Sequence, residues 1–110
     1  QQVFLQVNVS GEGSKYGIAP DRLESLLEIA TGYHNMDIQG LMTIPPASED
    51  PEKAAVHFVN LRELRDRAAA STGFALPELS MGMSHDMEVA IREGATLVRV
   101  GTDIFGARTT

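Results

Sequence analysis

Four residues near the end of the chain have the types and spacing to hold a charged ligand: Ser84, Arg99, Gly101 and Thr102. Ser84 closes the stretch SMGMS, and Gly101–Thr102 closes LVRVGT. A hydroxyl at the start of a helix lies beside free backbone N–H groups, and together these attract an anion. Glycine has no side chain to hold a ligand off, so the backbone N–H groups at Gly101–Thr102 can approach one closely. Ser84 is equally suited to plain capping of its own helix. Two such tips in succession, at the ends of neighbouring strands, point to a phosphate-sized anion.

Arg99 adds a cation. In LVRVG, Leu97 and Arg99 fall on one strand face and Val98 and Val100 on the other. A strand covered on both sides cannot keep an unpaired charge, so Arg99 must meet a carboxylate or a ligand. Asp86 and Asp103 are the carboxylates within reach in sequence. Met83, beside the anion tip, fills a core gap or presses on a flat ligand.

Other polar residues read as structural. His57 sits mid-helix beside Phe58, His34 in a polar loop and His85 in a solvated first turn, and their spacing resembles no metal site. Arg62, Glu63, Arg65, Asp66 and Arg67 read as one solvated helix face. Met42 and Met81 can fill core gaps.

The elements that must position these residues alternate. Val3, Leu5, Val7 and Val9 give a strand of period two. Pro20 or Asp21 opens a helix with Leu23, Leu26, Leu27 and Ala30 on one face, stopped at Gly32. DIQGLMTI (37–44) is a second strand. Asp50 and Pro51 then start a helix to about Ser71, with Ala54, Phe58, Leu61, Leu64 and Ala68 as its stripe and Gly73 after it. ELSMG and a helix to Gly94 form a third unit, and TLVRV (96–100) is the fourth strand. Strands alternating with helices imply parallel pairing, either as an open α/β sheet or as half of an eight-stranded barrel. In both, ligands gather at the strand C-termini. GEG lies inside a long loop, which argues against a dinucleotide fingerprint.

Composition sets the bounds. The chain has 110 residues, one small domain's worth, with 43% hydrophobic and 5% aromatic residues, so its core is aliphatic. A net charge of −6 argues against nucleic acid as the main partner. With Cys 0, disulfides and thiolate chemistry are excluded. No apolar run is long enough for a membrane helix and no signal peptide is visible, so a cytoplasmic location is expected. The first residue is Gln and the chain starts almost inside a strand, which reads as a fragment of a longer protein.

VNVSGEGSKYGI, IQGLMTIPP and LSMGMSHDMEVAIREGATLVRVGTDIFGAR stand in that order. Together they resemble the pyridoxal phosphate homeostasis protein family (YggS-like), relatives of the N-terminal barrel of alanine racemase. The resemblance covers Val3 to Arg108. It implies an α/β fold, a (β/α)8 TIM barrel binding pyridoxal 5′-phosphate (PLP), of which residues 1–110 supply the last four βα units. It makes Ser84, Gly101 and Thr102 phosphate ligands and turns Arg99 toward the pyridine nitrogen. Met83 and Ser80 would line the pocket, and Asn8 and Met42 would close it from neighbouring strands.

The family's Schiff-base lysine belongs to the first barrel strand, which has no counterpart here; Lys15 and Lys53 are the lysines of this chain. Lys53 falls in a helix's first turn and Lys15 in the loop after the first strand. The racemase's second base, a tyrosine from a separate domain, also has no counterpart. The function implied is a non-catalytic carrier or buffer in PLP homeostasis, with a PLP-dependent amino-acid racemase as the alternative. Spacing alone leaves open a barrel enzyme acting on a sugar phosphate and a scaffold without ligand. Four parallel strands leave two raw edges and an uncovered apolar face, so the expected partners are the missing half-barrel or a second copy of the chain.

Overall fold

The computed structural model describes residues 2–9, 17–33, 35–45 and 50–99. Four strands, β1 (Gln2–Gln6), β2 (Asp37–Met42), β3 (Glu78–Met83) and β4 (Leu97–Arg99), pair in the order β1-β2-β3-β4. All three pairings are parallel. The helices between them are α1 (Leu23–Ala30), α2 (Ala55–Thr72) and α3 (Met87–Arg92), each preceded by a short 3-10 turn. This is the parallel α/β arrangement that the alternating pattern predicts.

Local chemistry explains the boundaries. The Asp50 carboxylate accepts the Glu52 N–H at 3.0 Å and Pro51 takes the first position, so the turn before α2 is capped as its sequence suggests. Gly73 ends α2 in the left-handed conformation, φ 85°, where a side chain would be strained. Gly32 plays no such part: α1 stops at Thr31, whose hydroxyl donates to the Glu28 carbonyl. The strand expected over 37–44 ends at Met42, and Thr43 just beyond it donates its buried hydroxyl to the Val7 carbonyl, 3.0 Å away.

One core joins the sheet to all three helices. Val7, Ile38, Leu41, Leu79 and Met81 of the sheet side pack with Leu23 and Leu27 of α1, Phe58, Leu61, Leu64 and Ala68 of α2, and Val89 and Ala90 of α3. The predicted stripe of α2 is buried in full, Ala54 included. The opposite sheet face carries Phe4, Gln6, Met42, Ser80 and Leu97; the first four are half-buried and Leu97 is 45% exposed. Gln6, Met42, Ser80 and Leu97 are successive register partners, so they form one row across that face.

The charged run of α2 is only partly solvated. Arg62 donates to the Glu93 carbonyl at 2.7 Å and to its carboxylate at 3.3 Å, while Arg65 reaches the Leu76 carbonyl at 3.0 Å. Glu63, Asp66 and Arg67 do face solvent. Arg92 continues the network, bonding Glu93 at 3.0 Å and gripping Glu52 through two hydrogen bonds of 2.9 and 3.0 Å. Among the described residues no helix is long and apolar enough to cross a membrane.

Candidate functional site

The β3 tip departs from simple alternation. Ser80 pairs with Leu97, but the next partners are Met83 and Arg99, so β3 spends three steps where β4 spends two. The extra residue is a bulge, which re-aims the side chains beyond it. Met81 is buried in the core, and a methyl group on Gly82 would lie 2.5 Å from the Ala90 Cβ and 3.4 Å from a Val98 methyl. Two successive residues therefore lean toward the helices. Met83 emerges 45% exposed, opposite Arg99. With Gly82 at φ +100°, both its backbone and its surroundings select glycine.

Ser84 opens the 3-10 turn Ser84–Asp86 that leads into α3. It is not the cap its sequence position suggests. The N-cap of the turn is Met83 and that of α3 is Asp86, and neither site has a capping hydrogen bond from Ser84. Instead the Asp86 carboxylate reaches back to accept the Met83 N–H at 2.7 Å, the returning half of a capping box. Asp86 is only 5% exposed, and its other oxygen lies 3.8 Å from Nε2 of the half-exposed His85. The hydroxyl of Ser84 is thus left out of helix capping.

Of the sequence-predicted residues, Met42 and Ser80 are register partners in the open row, and Met83 and Arg99 are partners further toward the strand tips. Ser84 follows Met83 directly. The backbone of Arg99 ends β4; its side chain lies outside what is described. Asn8 is half-buried past the end of β1, where its N–H donates to the Ile18 carbonyl at 2.9 Å. Ile18 in turn donates to Gln6, so the β1 tip is bridged by residue 18, a contact no sequence pattern announced. Gly101 and Thr102 lie outside the described residues, as do Lys15, His34 and Asp103. Lys53 is exposed in the turn before α2, and His57 is half-buried, with Nδ1 buried and without a partner.

Sequence reasoning missed Thr43, and took Asp86 only as a possible partner of Arg99; these are the two buried polar residues among those described. Each ties down a strand tip: Thr43 holds β2 to β1, and its N–H donates to the Ser80 carbonyl of β3 at 3.2 Å. An acidic residue three positions past a strand's last residue is the signal that could have revealed Asp86. Two shallow clefts of about 190 and 440 Å³ lie elsewhere, between Pro20–Ser25 and the Leu64–Arg67 side of α2. Among the described residues no cluster of metal-ligating side chains occurs.

The family model for the alanine racemase N-terminal domain matches residues 1–109. The chain belongs to that family. It is 53% identical over 108 residues to the pyridoxal phosphate homeostasis protein of Aquifex aeolicus, covering 98% of this chain and 47% of that protein. The corresponding protein of Pseudomonas aeruginosa is 51% identical, with 96% and 44% covered. Among solved structures, PipY of Synechococcus elongatus with PLP bound superposes with a TM-score of 0.84 at 33% identity, over 96% of this chain and 49% of that one. A chlorella virus arginine decarboxylase, at 17% identity and a TM-score of 0.67, shares the fold alone. The chain spans about half the length of the curated relatives it matches. Its α/β fold with a parallel sheet is that of part of the PipY chain.

Proposed function

We propose that this chain forms the phosphate-binding half of a PLP barrel in a cytoplasmic protein that carries or buffers the cofactor. One observation carries the reading: the Asp86 carboxylate, and not the Ser84 hydroxyl, ties down the turn leading into α3 through the Met83 N–H, so a hydroxyl at a strand tip is left for a ligand. Gly82, whose Cβ would collide with Ala90, and the outward Met83 fit the same use. The names and the bound PLP of the relatives agree with it.

In this reading Ser84, Gly101 and Thr102 donate to the phosphate, Met83 and Ser80 line the pocket, and Asn8 and Met42 close it. Bound PLP supplies an aldehyde and an electron-withdrawing ring. Arg99 bears on how that ring is used. A guanidinium stays protonated and can only donate, so toward the ring nitrogen it keeps that nitrogen unprotonated and weakens the ring as an electron sink. Storage, or racemisation by matched bases, suits such a site better than carbanion chemistry that needs a protonated ring. Residues 1–110 make one half of a single barrel domain. Its complement is four further βα units that bring the Schiff-base lysine, or a second copy of the chain.

The experiment is a titration of the full-length protein with PLP, followed by absorbance, beside a racemase assay across the amino acids. Saturable binding with no turnover above free cofactor supports the proposal. Absence of binding, or racemisation well above the free-cofactor rate, overturns it.

A further inference from the structure

A buried carboxylate beside a phosphate site is electrostatically costly, since like charges repel more strongly where water is excluded. Asp86 is such a group. It is 5% exposed and sits two residues after Ser84, with Oδ1 on the Met83 N–H at 2.7 Å and 3.7 Å from where a Gly82 Cβ would be. Its place needs a reason, and the geometry of the turn supplies one.

A chain leaving a strand into a helix through Met-Ser-His-Asp has two ways to satisfy the first N–H groups. Ser84 can be the N-cap, its hydroxyl turned back onto the helix, as serine prefers. Alternatively the helix starts one residue earlier, with Met83 as N-cap and the acidic side chain at the third position returning to the Met83 N–H. The structure adopts the second. Methionine has no oxygen to cap with; its side chain accepts the Asp86 N–H only through a weakly accepting sulfur, so the Asp86 carboxylate supplies the stronger half of this frame. The bulge at Gly82 and the carboxylate beside it lie together, because a side chain at Gly82 would collide with Ala90 while touching Val98 and Asp86.

We infer that Asp86 is a positioning residue for the anion site: it fixes the frame of the Met83–Asp86 turn and so keeps the Ser84 hydroxyl free for a phosphate-bearing ligand. This rests on the PLP-binding reading above. Asp86 touches no ligand itself and acts through Ser84. Removing it lets Ser84 take over as cap and withdraws the hydroxyl from the pocket.

The test is a double-mutant cycle in the full-length protein, Asp86→Ala and Ser84→Ala singly and together, with Asp86→Asn alongside. Each variant is titrated with PLP and with pyridoxal, which lacks the phosphate, and melted without ligand. Asp86→Ala is expected to weaken PLP binding about tenfold or more, the loss of one charge-assisted hydrogen bond, and to leave pyridoxal binding unchanged. Ser84→Ala in the Asp86→Ala background should then cost less than about threefold further, the non-additivity of residues acting through one contact. Asp86→Asn, whose amide oxygen can still accept the Met83 N–H, should bind PLP within about threefold of the parent. Equal loss on both ligands, full additivity with Ser84→Ala, or an Asp86→Asn as weak as Asp86→Ala overturns the inference. Should Asp86→Ala not fold, Asp86→Asn decides against the parent: PLP binding within about threefold sustains the inference, and a loss of about tenfold or more overturns it. If the parent protein itself binds PLP no better than pyridoxal, the phosphate site is refuted, an outcome distinct from any failure of Asp86.

Discussion

Ser84, Asp86 and Gly82 occupy five residues of chain, and their roles were not equally legible. Ser84 announced itself, because serine before an amphipathic run is a recognisable helix start. Its freedom from capping was hidden, since the choice between two capping frames depends on the fold of the β3 tip. Met81 and Met83 show the same limit. Strict alternation puts them on one face, yet the bulge buries the first and exposes the second. Gly82→Ala should destabilise the protein by about 2–4 kcal/mol, combining the strain of positive φ with overpacking against Ala90. Chemical denaturation measures this, and a loss below about 1 kcal/mol would mean that the β3 tip relaxes freely.

Helices and strands were read well where periodicity was strong and poorly where a side chain intervened. The α2 stripe was complete in the sequence because its apolar residues repeat at helical spacing. The end of β2 was placed two residues too far, because the apolar pattern runs on to Ile44, which is 47% exposed, while the strand stops at Met42. Arg62 and Arg65 looked solvated because charge pattern says nothing of what packs beside a helix; they staple α2 to Glu93 and to the Leu76 carbonyl. Phe58→Ala should cost about 3–5 kcal/mol, since Phe58 is fully buried in the first turn of α2. A smaller loss in thermal or denaturant unfolding would place the core's centre elsewhere. At the helix ends, the Arg92 guanidinium hydrogen-bonded to Glu52 holds that carboxyl below its ordinary value. A carboxyl lowered by folding adds stability above its unfolded pKa, near 4.3 for Glu, and that stability is lost as pH falls through the lower folded value. Glu52→Gln should therefore flatten the acid side of the stability profile slightly, less so in high salt because the pair is exposed. Identical acid slopes for parent and variant in denaturant midpoints would show that the pair is idle.

Among the described residues, β1 and β4 are the sheet edges, and the helices leave uncovered a face bearing Phe4, Met42, Met83 and Leu97. Open parallel edges and exposed apolar faces seek partners. The 110-residue chain by itself should associate, and sedimentation velocity showing a folded monomer at all concentrations would contradict this. The parallel α/β class was legible from alternation alone, whereas open sheet and half-barrel share one pattern and were separated only by resemblance. The phosphate site rests on the strand tips, and its most direct test is PLP affinity in the full-length protein and in Ser84→Ala combined with Thr102→Ala. Each lost charge-assisted hydrogen bond should cost about 1.5–3 kcal/mol of binding, with the melting temperature held because Ser84 caps no helix. Unchanged affinity with lowered stability would contradict the account and return both residues to structural roles.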